Sequence, residues 1–145
     1  GTIEALEARA GKFSRCVLVQ TVSKLDGDFD VEGLRAAEAL HKRRFDTLTR
    51  QARLITRGDC LPMGAGSCTR CVKCTYPDKP CRHPDKLWPS MEAYGILVSS
   101  ACKSAGLDYY HGPATITYSS CILINSSKCS SPTAGRSAYS TSTKP

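Results

Sequence analysis

The chain has 145 residues, 41% of them hydrophobic, and a formal charge of +7. That length supports one domain with a real core and excludes two comfortable ones, while the composition excludes wholesale disorder. No apolar run approaches the roughly 20 residues that would span a bilayer, and the opening Gly1-Thr2-Ile3-Glu4 carries no basic-then-apolar signal segment.

The elements follow in an alternating order. Ile3, Leu6 and Ala10 recur at helical spacing, which predicts a short helix over Thr2 to Ala10 that Gly11 can stop. Arg15 to Val22 is rich in β-branched residues and reads as a strand. Asp26-Gly27-Asp28 is turn chemistry, and Asp30 then stands where an N-cap belongs. From about Val31 to about Arg53 a long helix is expected, its apolar stripe traced by Leu34, Ala37, Leu40, Phe45, Leu48 and Ala52. A short strand is expected around Asp59 to Met63, beyond Gly58.

Gly64-Ala65-Gly66-Ser67 opens a different region. From there to Pro89 the chain has no apolar period and too many prolines for a helix or a ladder to run through. It reads as an ordered loop that needs something to organise it. Ser90 can cap a short turn through Tyr94 that Gly95 ends, and a helix from about Val98 to Ala105 stops at Gly106. Gly112-Pro113 leads into a strand over Thr115 to Ile124. Residues 125–145 are mostly Ser, Thr, Lys and Pro and read as a disordered polar tail. The fold class expected is α+β: a small, mostly antiparallel sheet, helices packed on one face, and a cysteine-rich lobe at one end. Residues 1–124 form the single domain and 64–89 its cysteine loop.

Nine cysteines are many for this length, and four crowd between Cys68 and Cys81. A secreted disulfide scaffold would spread its cysteines to staple distant loops. Clustering without an export signal points instead to metal ligation in a reducing compartment, the cytoplasm. Cys68, Cys71 and Cys74 stand at two-residue gaps, and Cys81 follows six residues after Cys74. Three thiolates in such a row suit three corners of a cubane cluster, with the fourth from farther along. A single zinc ion normally takes two separated knuckles, and here the second would have to share Cys71 with the first. The cofactor expected is one 4Fe-4S cluster on Cys68, Cys71, Cys74 and Cys81, with zinc as the alternative. Arg70, Lys73, Lys79 and Arg82 face only Asp78 in the same stretch, a balance that would stabilise an anionic cluster.

The remaining candidates are weaker. Cys60 reads as a structural thiol at a strand end, and Cys16, Cys102 and Cys121 as core residues. Cys129 lies in the polar tail. His41 and His111 read as surface residues, and His83 is near the cysteines but redundant with them. No nucleophile–base set, paired catalytic carboxylates or phosphate-cradling glycine loop is visible, so no catalytic activity of its own is expected. The densest basic run, Lys42-Arg43-Arg44, falls inside the long helix, where a solvated face is the ordinary reading; nucleic-acid and membrane binding are not expected.

The segments Gly64 to Pro77, Pro80-Cys81-Arg82-His83-Pro84 and Pro89 to Ile96, with Thr115-Ile116-Thr117-Tyr118 after Tyr110-His111-Gly112-Pro113, resemble a prokaryotic family known as the predicted metal-binding proteins, a domain of unknown function. The resemblance covers roughly Gly1 to Ile124. It implies metal binding by Cys68, Cys71, Cys74 and Cys81 and no established reaction. In one departure, Leu97 stands where that family tends to have a helix-capping Asp. Two functions are open: a redox component passing single electrons to a partner protein, or a zinc-stabilised interaction module with no redox role.

Overall fold

A computed structural model of the chain describes residues 3–125. Its elements are α1 (Ile3–Ala10), β1 (Arg15–Lys24), α2 (Val31–Ile55), β2 (Cys60–Met63), α3 (Val98–Ser104) and β3 (Thr115–Ile124), with 3₁₀ turns at Pro84–Lys86 and Glu92–Tyr94. The fold class is the α+β expected. The polar tail lies outside the described residues, apart from Asn125, and so does Cys129.

Local chemistry sets the element ends. Asp30 accepts from the Gly33 backbone N–H at 2.8 Å and from that of Asp26 at 3.0 Å, which caps α2 and closes the preceding turn. These two donors hold its carboxyl below the usual carboxylate range. At the other end Thr56 returns its hydroxyl to the Ala52 carbonyl at 2.7 Å, and Arg57 and Gly58 take left-handed backbone that no helix continues through. Ser90 caps the turn before Gly95 as expected, its Oγ accepting from the Ala93 N–H at 3.2 Å.

The sheet is antiparallel with order β1-β3-β2. β1 pairs with β3 along ten residues, Arg15 opposite Ile124 and Lys24 opposite Thr115; β2 pairs over four, Cys60 opposite Ile124. β3, the last strand in sequence, is therefore central. Pro62 is tolerated because β2 is an edge. Side chains alternate between faces, so neighbours enter different cores: Cys121 joins Leu61, Met63 and Met91, whereas Ile122 joins Phe45 and Trp88. The long helix α2 takes one face, as expected of it, but the helices are not all packed on that face as expected of them together. The opposite face is closed by Met91, Tyr94, Ile96 and Val98, and α3 adds Cys102, fully buried, with its thiol 3.7 Å from Ser119 Oγ.

The buried line of α2 is Ala37, His41, Phe45 and Thr49, one residue per turn. His41 is thus a core residue, 1% exposed, and not the surface residue expected. Its ring nitrogens meet Thr21 Oγ1 at 2.9 Å and Ser120 Oγ at 2.7 Å, and its ring stacks between Phe45 and Tyr118. A neutral imidazole donates from one nitrogen and accepts at the other, so two hydroxyls satisfy it fully. The pairing of β1 with β3 brings those hydroxyls to one face, which a linear pattern of apolar residues does not reveal.

Burial, aided by the nearby Arg44 and Lys42 cations, pushes His41 down to about 4. Below about pH 6.5 the unfolded chain takes up a proton that the folded one refuses, so stability falls as pH drops from about 6.5 to about 4, by about 3 kcal/mol. Chemical denaturation across that range should show the slope, and His41→Gln should flatten it. The α3 N-terminus offers a second check. Leu97 has the extended backbone of a cap but makes no side-chain cap bond. Leu97→Asp should therefore raise stability by about 1 kcal/mol in the same assay.

Candidate metal centre

The cysteine loop is closed at its base. The Gly64 N–H donates to the Pro89 carbonyl at 2.8 Å, and Gly64 bridges in parallel to Ser90. A Cβ on Gly64 would stand 3.4 Å from that of Trp88, an ordinary packing contact between the two ends of the loop. Gly66 takes left-handed backbone just after it.

From that base the loop is pinned to α2. Trp88 is buried, its ring edge-on to Phe45 with centroids 5.0 Å apart. The Arg70 guanidinium lies over the indole with Cζ 3.6 Å from its centroid. It also donates to Asp46 Oδ1 at 2.7 Å and, through Nε, to the Lys86 carbonyl at 3.2 Å. Asp46 meanwhile holds Arg50, one turn along α2, at 3.4 Å. Arg53 adds a bond to the Asp85 carbonyl at 2.9 Å. Trp88, Asp46 and Arg53 escaped the sequence reading; the signal available was a sole tryptophan placed directly before Pro89.

The clamp residue Arg70 lies between Cys68 and Cys71, and Cys74 and Cys81 follow on the same loop. Cys68, Cys71 and Cys81 are half-buried, Cys74 is exposed, and none forms a disulfide. Between Cys74 and Cys81 the chain is tied to itself: Lys79 N–H to the Thr75 carbonyl at 2.9 Å, and Thr75 Oγ1 to the Pro80 carbonyl at 3.2 Å. Arg82 donates to the Lys73 carbonyl at 2.5 Å, and the His83 N–H points at Cys81 Sγ at 3.4 Å. Two of the cations expected beside a cluster, Arg70 and Arg82, thus hold the loop itself.

Among the described residues, no three His, Cys, Asp or Glu side chains are gathered closely enough to hold a metal ion. The four cysteines therefore share one loop without sharing one centre in this conformation. Their donor chemistry nonetheless fits a thiophilic metal or cluster. All four thiols are free and at least partly accessible, and soft sulfur donors are what zinc and iron–sulfur clusters take. Nor does packing oppose convergence, since the apolar residues between them, Val72 and Tyr76, are exposed. Deprotonated ligands gather around a cation because its charge offsets theirs.

The other cysteines divide. Cys102 and Cys121 are fully buried, as expected, and Cys60 packs half-buried against the Phe45–Trp88–Ile122 cluster. Cys16 is exposed, against expectation, within the exposed first three residues of β1. The Cys121 thiol donates to the Cys16 sulfur, which brings Cys16 down to about 7 and pushes Cys121 up. His83 and His111 are exposed, the latter 3.2 Å from Gln20 Oε1. No described helix is long and apolar enough to cross a membrane.

If Arg70 is the pin, Arg70→Ala should loosen the loop and spare the sheet. Stacking of a cation on an indole contributes about 0.5–2 kcal/mol and a partly exposed ion pair less than about 1. Trypsin should cut at Lys73 or Arg82 several-fold faster in the variant, with far-UV circular dichroism unchanged. Arg70→Lys should rescue only in part, because an ammonium cannot present a planar fork to Trp88 and Asp46 together.

A family model described as "Predicted metal-binding protein (DUF2284)" matches residues 1–124. No curated protein and no solved structure matches the chain. With the model covering everything up to the end of β3, the chain belongs to the DUF2284 family of predicted metal-binding proteins.

Proposed function

We propose that Cys68, Cys71, Cys74 and Cys81 hold one 4Fe-4S cluster and that the protein is a redox component of the cytoplasm. The observation that carries this reading is four free, accessible thiols at two-, two- and six-residue gaps on one pinned loop. When bound, such a cluster supplies reversible transfer of single electrons.

The chain's own residues have distinct parts in this reading. Trp88, Arg70 and Asp46 fix the loop base against α2, so that the donor segment starts from a defined place. The His83 N–H, aimed at Cys81 Sγ, is the kind of donor that stabilises a ligated thiolate and tunes a potential. Lys73 and Lys79 offset the charge of the thiolates from within the loop. Val72 and Tyr76, both exposed, give the same segment an apolar contact for a redox partner protein. The short spacing keeps that contact within a few residues of the sulfurs.

Protein prepared without air should be brown, contain roughly four iron and four sulfide per chain, and bleach with dithionite. Serine at any of Cys68, Cys71, Cys74 or Cys81 should lower the iron content at least severalfold, whereas Cys16→Ser should leave it unchanged. A colourless protein with one zinc per chain would instead establish the interaction module, in which the metal only ties the loop.

A further inference from the structure

α2 and the cysteine loop enclose an open cleft between them. Its volume is about 390 Å³, and its walls are Lys42, Arg43, Asp46, Thr47 and Arg50 from α2 with Thr69, Arg70 and Trp88 from the loop. Four cations therefore face one carboxylate. Asp46 forms ion pairs with both Arg50 and Arg70 and neutralises one of the two. Lys42 is paired with Glu38, which lies outside the cleft. The excess left by Asp46 and Glu38 is two positive charges, one of them on Arg43.

We propose that this cleft is a binding site for the phosphoryl group of a small phosphorylated molecule. A dianion matches the residual charge, and guanidinium forks are the side chains best shaped for phosphate oxygens. The cleft is larger than a phosphate alone requires and lies within the range of small-molecule sites. A single strand of nucleic acid would want an aromatic face to stack on. The one indole here has Arg70 over its face and Phe45 against it. A basic surface patch would attract acidic proteins too, but a concave site between two segments favours a small ligand.

The position gives the site a consequence. Thr69 and Arg70 lie between Cys68 and Cys71, so a phosphoryl group held here bridges α2 to the donor segment. The proposal stands on the cleft alone and holds whichever metal the loop takes.

The test is calorimetric titration of the full chain with pyrophosphate, inorganic phosphate and glycerol phosphate, against chloride at matched ionic strength. Emission of Trp88, the sole tryptophan, reports from the cleft wall. Saturable binding with a Trp88 response, weakened at least tenfold in Arg43→Ala/Arg50→Ala, is the expected result. Heat and emission that follow ionic strength alone, or an affinity the double variant leaves intact, would overturn it. Should the double variant not fold, Arg43→Gln by itself must weaken binding at least threefold, or the proposal fails. A single-stranded oligonucleotide or polyglutamate that binds saturably where none of the three small anions does would equally overturn it.

Discussion

Asp46 holds two guanidiniums at once, and one of them, Arg70, belongs to the cysteine loop. Through this contact a segment without helix, ladder or apolar core of its own gains a fixed relation to the longest helix. The indole of Trp88 completes the arrangement, since it is buried on Phe45 and Ile122 while its face carries Arg70. A planar cation stacked on an aromatic face and forked to a carboxylate is restrained in both position and orientation. Everything said of the loop's chemistry presupposes that restraint, and the basic cleft exists because of it.

The sheet in turn fixes where α2 lies. β3 runs between β1 and β2, and its residues 119–122 are buried. Two hydroxyls on the α2 face, from Thr21 and Ser120, take up both nitrogens of His41. Burying a polar group without a partner is costly, so this pairing favours one orientation of α2 over the sheet. Phe45, one turn along, then meets Trp88 in that orientation. Helix, sheet and loop base are thus linked through residues four apart on a single helical face.

The candidate metal ligands have a different status from these packed residues. Their spacing is local and survives any arrangement of the rest of the chain. Their convergence is not local, because it is metal binding that deprotonates the ligands and draws them to one centre. The half-buried and exposed positions of the four sulfurs accord with a segment whose own contacts are few. Family membership supports metal binding as such; the identity of the metal rests on the spacing argument.

Most of the fold was legible because it is written in local chemistry. Asp30, Gly58, Ser90, Gly95 and Gly106 mark element ends by side-chain capping and left-handed backbone, and the strand over Thr115 to Ile124 follows from its β-branched run. The four cysteines were legible for the same reason: their gaps are a property of the chain. What needed the tertiary structure were the strand order, the burial of His41, the exposure of Cys16 and the clamp of Arg70 on Trp88 and Asp46. Each depends on partners far apart in sequence. Strand pairing decides which hydroxyls meet a helix and which strand becomes an edge, and the return of the loop at Gly64 and Ser90 decides which side chain lies over the indole. Short-range periodicity carries no record of either.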